Sequence, residues 1–505
     1  MVMLQEAKKY QAFYTKSTPI VDYMVQKLSL KPNDKILEPC GGDGVFVESI
    51  IDENEYAYID IYELNEKSIK VLNEKFSYLS NVRIKHSDTL LDEELMFNSS
   101  FGGIYDKIIA NPPYGAWQEY EKRDILKKLF PNIYAKETYG LFLYRCIELL
   151  KDKGLLTFII PDTYLNLHMH KALRKHILQK TKIKELALFP SSFFPGVNFG
   201  YANLSIITLE KCFNQKECLN NNFKIINGFR NVEQLSDINS ETDLKTKTYL
   251  QKDIYANPDH AFLISDNFEI INAINNSKLK IGDIANCVTG FYSGDDKRFL
   301  QVNSPDLKNG KNYDLVNQNS INRDYQNISN ILDGIDGEKH FLPIVKGGNV
   351  KYLKQEGWFM NWSKEAVKHY KTDKKSRFQN PQFYFKFGIG VPMISSSSIT
   401  ASLIENKLFD QSIVGIFPKD ESLTYYLLAF FNSPTCNKFI RTINPSANNP
   451  ANYIKKIPVI IPEITVLKLI TEKTKEIVVS LKQFENYNKS IEVELWEMIE
   501  RIYNI

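Results

Sequence analysis

Over the first 210 residues, short apolar runs alternate with stretches whose apolar positions recur every three or four residues. The runs at 35–37, 56–62, 82–85, 105–110, 155–160, 183–188 and 204–209 predict strands. Helical spacing lies between several of them, at 20–28, 66–76 and 139–150. Alternation of this kind builds an α/β domain, a mainly parallel sheet with helices on both faces. Sheets of that class bind ligands beyond the carboxyl ends of their strands. From about residue 212 to 249 the pattern dissolves into Asn, Lys, Asp and Thr, which reads as a linker or peripheral excursion. After it come short strand-like pieces at 290–294, 342–350, 391–403 and 412–417, and residues 464–505 return to helical spacing. The four serines at 395–398 read as strand or loop without chemistry of their own. Two domains are therefore expected: 1–245, including the linker, and 246–505, a mixed α+β domain ending in helices.

Composition narrows the class. With 505 residues, 43% hydrophobic and 24% charged, the chain is long enough for two soluble cores and too balanced for a disordered or fibrous protein. Its longest apolar runs, such as 154–161, fall well short of the ~20 residues a bilayer needs, and its first residues lack the apolar core of a secretory signal. A cytoplasmic protein with no membrane partner is expected. Cys40, Cys146, Cys212, Cys218, Cys287 and Cys436 never fall in Cys-x-x-Cys spacing, so they read as reduced thiols. The net charge of +3 is uninformative, but its distribution is not. Between Phe341 and Phe387 ten basic residues face three acids, interleaved with Tyr352, Trp358, Trp362, Tyr370, Phe378, Phe383 and Tyr384. Such interleaving fits either a surface for a polyanion carrying bases or a lysine-rich face over an aromatic core.

The sharpest motif is Asn111-Pro112-Pro113-Tyr114, directly after the predicted strand at 105–110. Upstream, Glu38-Pro39-Cys40-Gly41-Gly42-Asp43-Gly44 leads from a strand into a glycine-rich turn, where Gly42 and Gly44 would let backbone approach a ligand. Glu63 closes the next strand, 25 residues after Glu38, near the offset at which a carboxylate meets ribose hydroxyls. Asp88 closes the third and is a candidate acceptor for an adenine amino group. Each acid taken alone reads sooner as a helix cap or a solvated turn than as a ligand contact. Together, at the ends of successive strands, they outline a nucleoside pocket with Asn111 at its lip. His168 and His170, the one close histidine pair, have no carboxylate at ligand spacing, and no metal is expected.

These residues resemble the gamma class of adenine-N6 DNA methyltransferases of the TaqI or Eco57I type, the methylases of Type II restriction-modification. The resemblance covers about residues 11–209 and implies a Rossmann-like S-adenosylmethionine-binding sheet in the first domain and a target-recognition domain in the second. It implies that Phe13, Tyr14 and Thr15, with Glu38, Pro39, Cys40, Gly42 and Gly44, hold the cofactor. Glu63 with Leu64, and Asp88 with Thr89, would hold its ribose and adenine, and Asn111 would touch it as well. Asn111, Pro112, Pro113 and Tyr114 would be catalytic, with Tyr114 and Phe194 stacking on the target base. Tyr139-Gly140-Leu141-Phe142 and the strand at 154–161 are similar to the motifs that follow in this family. In the second domain, Leu342-Pro343-Ile344-Val345-Lys346-Gly347-Gly348-Asn349-Val350 resembles a segment of the recognition domain more loosely. Lys346, Lys351, Lys374, Lys375 and Arg377 are the candidates for phosphate contacts.

The implied partner is double-stranded DNA, and the product is S-adenosylhomocysteine. Because the cofactor motif stands almost at the start of the chain, no fused endonuclease is expected, and any cognate restriction endonuclease would be a separate chain. The chemistry suits the motif: two acceptors on an amino group favour a pyramidal nitrogen whose lone pair leaves the ring plane. Paired prolines stiffen the backbone that presents them. The same corner would suit RNA, cytosine N4 or a protein glutamine amide. A DNA-specificity module with a vestigial pocket is the non-catalytic alternative.

Overall fold

The computed structural model describes residues 17–114, 120–193, 203–236, 238, 244–265, 267–395 and 398–504. The chain divides into two units, Met1–Leu263 and Ile264–Ile505.

The first unit is built on nine strands: β1 (Lys35–Glu38), β2 (Tyr58–Glu63), β3 (Val82–His86), β4 (Tyr105–Ala110), β5 (Leu150–Pro161), β6 (Thr181–Phe189), β7 (Leu204–Lys211), β8 (Asn222–Asn227) and β9 (Lys245–Leu250). Their order is β3-β2-β1-β4-β5-β7-β6-β8-β9. Strands β1 to β5 pair in parallel, and β7 runs antiparallel between β5 and β6. Ile36, Leu37, Ile108, Ile109 and Ala110 are all fully buried, as expected of central parallel strands covered on both faces. From β1 the chain moves outward to β2 and β3, then returns to place β4 on the other side of β1. That reversal opens a crevice at the carboxyl ends of β1 and β4.

Helices set the crevice walls. In α1 (Thr18–Leu28) a proline enters the first turn, where its missing N–H costs nothing. Helix α2 (Val45–Glu53) starts from Gly44, whose φ of 82° suits glycine. Helix α3 (Glu66–Phe76) is capped by Asn65, which accepts from the Lys67 N–H at 3.0 Å, and buries Ser68, Leu72 and Phe76 at four-residue spacing. Helix α4 (Thr138–Leu149) is buried on nearly every side, in keeping with its almost continuous apolar sequence.

The expected strands and helices of the first 210 residues are present, with ends shifted by a few residues; β5 begins five residues early. The expected linker is the larger departure. Within it β8 pairs with β6 and β9 pairs with β8, so the sheet continues through Leu250 and the unit ends at Leu263 rather than at 245. Strand β9 is a polar edge strand, and the buried Phe223, Ile225 and Ile226 of β8 are too few among Asn and Lys to stand out as a strand.

The second unit holds two four-stranded sheets. One has the order β10 (Ala285–Thr289), β17 (Ile413–Pro418), β14 (Phe387–Pro392), β15 (Ser402–Glu405), all antiparallel. The other has the order β11 (Leu300–Val302), β13 (Trp358–Asn361), β12 (Phe341–Val345), β16 (Leu408–Phe409). Helices α5 (Lys364–Thr372), α6 (Ile464–Phe484) and α7 (Lys489–Tyr503) belong to the same unit. Trp362, Tyr370, Tyr352 and Tyr384 are buried, and Phe291, Trp362, Phe378 and Tyr384 pack ring against ring. The polar tips of Trp362, Tyr370 and Tyr384 are satisfied internally: Trp362 donates to the Ile331 carbonyl at 2.7 Å, Tyr370 to that of Asn361 at 2.7 Å and Tyr384 to that of Gln379 at 2.6 Å. The flat rings among the lysines therefore form a core, which selects the second of the two sequence interpretations. Among the described residues, no helix is long and apolar enough to cross a membrane.

Candidate active site

Four sequence-predicted residues stand at the carboxyl ends of neighbouring strands: Glu38 on β1, Glu63 on β2, Asp88 just after β3 and Asn111 just after β4. The loop after β1 is shaped by Glu63, whose Oε2 accepts from the Gly42 N–H at 2.8 Å. Its Oε1 accepts from the N–H groups of Leu64 and Asn65 at 2.8 and 2.7 Å. One carboxylate thus ties the glycine turn to the start of α3. Gly42 and Gly44 both have positive φ, 53° and 82°. At Gly44 the reason is packing as much as conformation, since a Cβ there would sit 2.4 Å from the Phe76 ring and 3.0 Å from Leu72. Gly41 is equally closed, against Ile61 at 2.4 Å.

Glu38 is 2% exposed, and its Oε2 has no hydrogen-bond partner among the described residues. Burial, with the charge of Glu63 adding to it, pushes its carboxyl well above the usual carboxylate range. Burial also raises the Cys40 thiol, helped by Glu38 and Glu63 and opposed by a bond from the Asn111 backbone. Asp88 accepts from the Leu90 N–H at 3.0 Å and pairs with Lys122, which the sequence did not single out. Thr89, buried, donates its hydroxyl to the Pro39 carbonyl.

The Asn-Pro-Pro-Tyr corner is fixed at several points. Besides the Asn111 backbone contact to Cys40, the Pro113 carbonyl accepts from Thr138 Oγ1 at 2.7 Å. Tyr114 is 5% exposed and donates its hydroxyl to the Ile159 carbonyl at 3.4 Å. Just past the carboxyl end of β5, burial pushes the Asp162 carboxyl up to about 6, opposed by the Asn203 N–H that donates to it at 3.2 Å. Phe13, Tyr14, Thr15 and Phe194 lie outside the described residues.

His168 and His170 each acquire a carboxylate through the fold: Asp259 at 3.0 Å and Glu137 at 2.8 Å. Both partners are invisible to sequence spacing, since Asp259 lies far along the chain and Glu137 on a different element. Lys122 and Thr138 were missed for the same reason; only tertiary packing brings them to Asp88 and Pro113.

In the second unit, two of the five phosphate candidates are otherwise engaged. The Lys346 ammonium lies between Asp296 Oδ2 at 2.8 Å and Asp410 Oδ2 at 3.3 Å, with 18% of its side chain exposed. Lys351 pairs with Glu492 at 2.7 Å and lies over the Trp496 ring at 4.7 Å. Both ammonium groups are thus held by the protein's own carboxylates in this structure. Lys374, Lys375 and Arg377 are exposed.

Residues 7–194 match the family described as Eco57I restriction-modification methylase, and the resemblance read from the sequence is borne out over that stretch. The Type II methyltransferase M.AccI of Acinetobacter calcoaceticus is 29% identical over 191 residues, 37% of this chain and 34% of that protein. The Type II methyltransferase M.HincII of Haemophilus influenzae is 29% identical over 209 residues, 39% of this chain and 37% of that protein. The matched part is thus about a third of those relatives' length. Among solved structures, the DrdV–DNA complex aligns with 96% of this chain and 58% of that chain, with a TM-score of 0.57 and 12% identity. The ATP-dependent Type ISP restriction-modification enzyme LlaBIII bound to DNA aligns with 94% of this chain and 40% of that chain, at 0.55 and 12%. At such identity the two structures speak for the fold alone.

Proposed function

We propose, from the family match over residues 7–194, that the protein transfers a methyl group from S-adenosylmethionine to N6 of an adenine rotated out of duplex DNA. The observation that carries this reading is the braced Asn111-Pro112-Pro113-Tyr114 corner at the end of β4, beside a loop tied by Glu63 to Gly42.

The cofactor fits the residues present. Glu38 offers a buried acceptor that lacks a donor, which suits a ligand carrying an ammonium group. Glu63 and Asp88 stand at successive strand ends, where ribose hydroxyls and an adenine amino group would meet them. Leu64, Thr89, Cys40, Gly42 and Gly44 would complete the cofactor side, with Phe13, Tyr14 and Thr15 at its methionine end. When bound, S-adenosylmethionine supplies a methyl group on a sulfonium; the adenine nitrogen gains it as the carbon–sulfur bond breaks, and one amino proton leaves to solvent.

The protein's part is positioning. The Asn111 amide oxygen and the Pro112 carbonyl accept the two amino hydrogens and turn the nitrogen lone pair toward the methyl group. Fixing that geometry contributes on the order of 7–11 kcal/mol to catalysis in general. Phe194 closes over one face of the base, and Tyr114 either opens to take the other or serves as the packed support of the corner. A base inside a duplex cannot reach such a corner, so the nucleotide is extruded. The second unit grips the duplex, with Lys374, Lys375 and Arg377 on phosphates.

The test is product identity. Duplex DNA incubated with the protein and methyl-labelled S-adenosylmethionine, then digested to nucleosides for mass spectrometry, is expected to yield N6-methyldeoxyadenosine. Label in N4-methyldeoxycytidine, in RNA or in protein instead, or no transfer at all, would overturn the assignment.

A further inference from the structure

The start of α4 departs from how helices usually begin. Its N-cap residue, Glu137, makes no side-chain capping bond. A capping side chain is ordinarily worth about 1 kcal/mol to a helix. Here the Glu137 carboxylate instead accepts from His170 Nε2 at 2.8 Å. The next residue, Thr138, is 7% exposed and donates to the Pro113 carbonyl at 2.7 Å. The one after, Tyr139, has its hydroxyl 3.0 Å from the same His170 Nε2 and 2.7 Å from Thr163 Oγ1.

Three consecutive side chains at this helix start are therefore bound outward, two of them to one imidazole. His170 is 1% exposed, with the Tyr134 ring edge-on at 5.7 Å and the Tyr139 ring at 5.5 Å. That imidazole cannot shift without moving Glu137 and Tyr139, and Thr138 lies between them. The link from this anchored turn to the proposed chemistry is the Thr138 hydroxyl on Pro113, one peptide from the carbonyl of Pro112.

We propose that His170 is a positioning residue for methyl transfer, acting through Glu137 and Thr138 to fix the Pro113 carbonyl and hence the angle at which Asn111 and Pro112 meet the target amino group. This rests on the function proposed above. It assigns His170 no contact with substrate: the imidazole holds the helix start, and the helix start holds the corner.

The test uses the full-length protein in steady-state and single-turnover methylation of duplex DNA, with S-adenosylmethionine affinity measured separately by calorimetry. Thr138→Val keeps the shape and loses the hydroxyl; kcat is expected to fall about tenfold, the kinetic equivalent of one net hydrogen bond. The KM for DNA and the cofactor Kd should stay within about twofold, and Thr138→Ser should restore kcat. His170→Phe, which keeps a ring in place, should give a similar fall, and the double variant should be no worse than the poorer single one, since both act on one carbonyl. If His170→Phe does not fold, Glu137→Met, which removes the acceptor, takes its place with the same expected split. Wild-type turnover in folded variants, or a loss of cofactor affinity in step with kcat, would overturn the proposal while leaving the parent function standing. A wild-type protein that methylates no adenine would overturn both.

Discussion

Replacing Lys346 with methionine separates a structural cation from a DNA contact. The Lys346 ammonium bridges Asp296 at 2.8 Å and Asp410 at 3.3 Å, and the Asp410 side chain is 5% exposed. Burial lowers the lysine's pKa, but the two carboxylates outweigh it and hold it above the usual value. Removing one member of a buried pair typically costs about 3–5 kcal/mol, because the partner charge is left without compensation. With 18% of the lysine exposed, the lower end applies, about 3 kcal/mol. For a unit of this size each kcal/mol is worth roughly 2–4 °C, so Tm should fall by about 6–12 °C. Thermal unfolding checks this directly, and adding Asp410→Asn should recover part of the loss. The salt dependence of duplex binding supplies the contrast. Lys346→Met should leave its slope unchanged, whereas replacing Lys374, Lys375 and Arg377 together should flatten it by about 0.9 for each phosphate no longer neutralised. A Lys346→Met protein as stable as wild type, or one with a flatter salt slope, would refute the structural role.

Two further outcomes follow from the first unit. Gly44→Ala should destabilise by about 2–4 kcal/mol, combining a left-handed backbone penalty with overpacking against Phe76, and Phe76→Leu should relieve only the packing share; a loss under about 0.5 kcal/mol by thermal unfolding would contradict it. Asp162 is harder to ionise folded, at about 6, than unfolded, so the folded protein loses stability as pH rises from about 4 to 6. Asp162→Asn should therefore raise Tm at pH 8 and leave it unchanged at pH 3.5, and equal shifts at both would show that the carboxyl's charge is not the cause.

Legibility followed chemistry that is local in sequence. The central strands were readable because Ile36, Leu37, Ile108 and Ile109 are apolar runs buried on both faces, and α3 because Leu72 and Phe76 share a face behind an Asn65 cap. Asn111, Glu38 and Glu63 were readable because strand ends announce where side chains converge. The pairing of β8 and β9 was not, since β9 is a polar edge strand and the three buried apolar residues of β8 stand among Asn and Lys. Nor were Lys122, Thr138 and His170, whose partners are supplied by other elements. The basic, aromatic stretch from Phe341 to Phe387 misled in part, because a ring buried beside a solvated lysine and a ring offered to a base have the same sequence; only burial of Trp362, Tyr370 and Tyr384 tells them apart.

The corner at Asn111 bears the most weight, and one comparison reaches it directly. Asn111→Ala and wild type would be assayed in a single turnover on duplex DNA, with cofactor affinity measured on the same samples. Transfer is expected to slow by about 100-fold or more, the typical consequence of removing one preorganised polar contact, with S-adenosylmethionine bound within a few-fold of wild type. Transfer within about threefold of wild type would contradict the account, and a parallel collapse of cofactor binding would move Asn111 from the chemistry to the pocket.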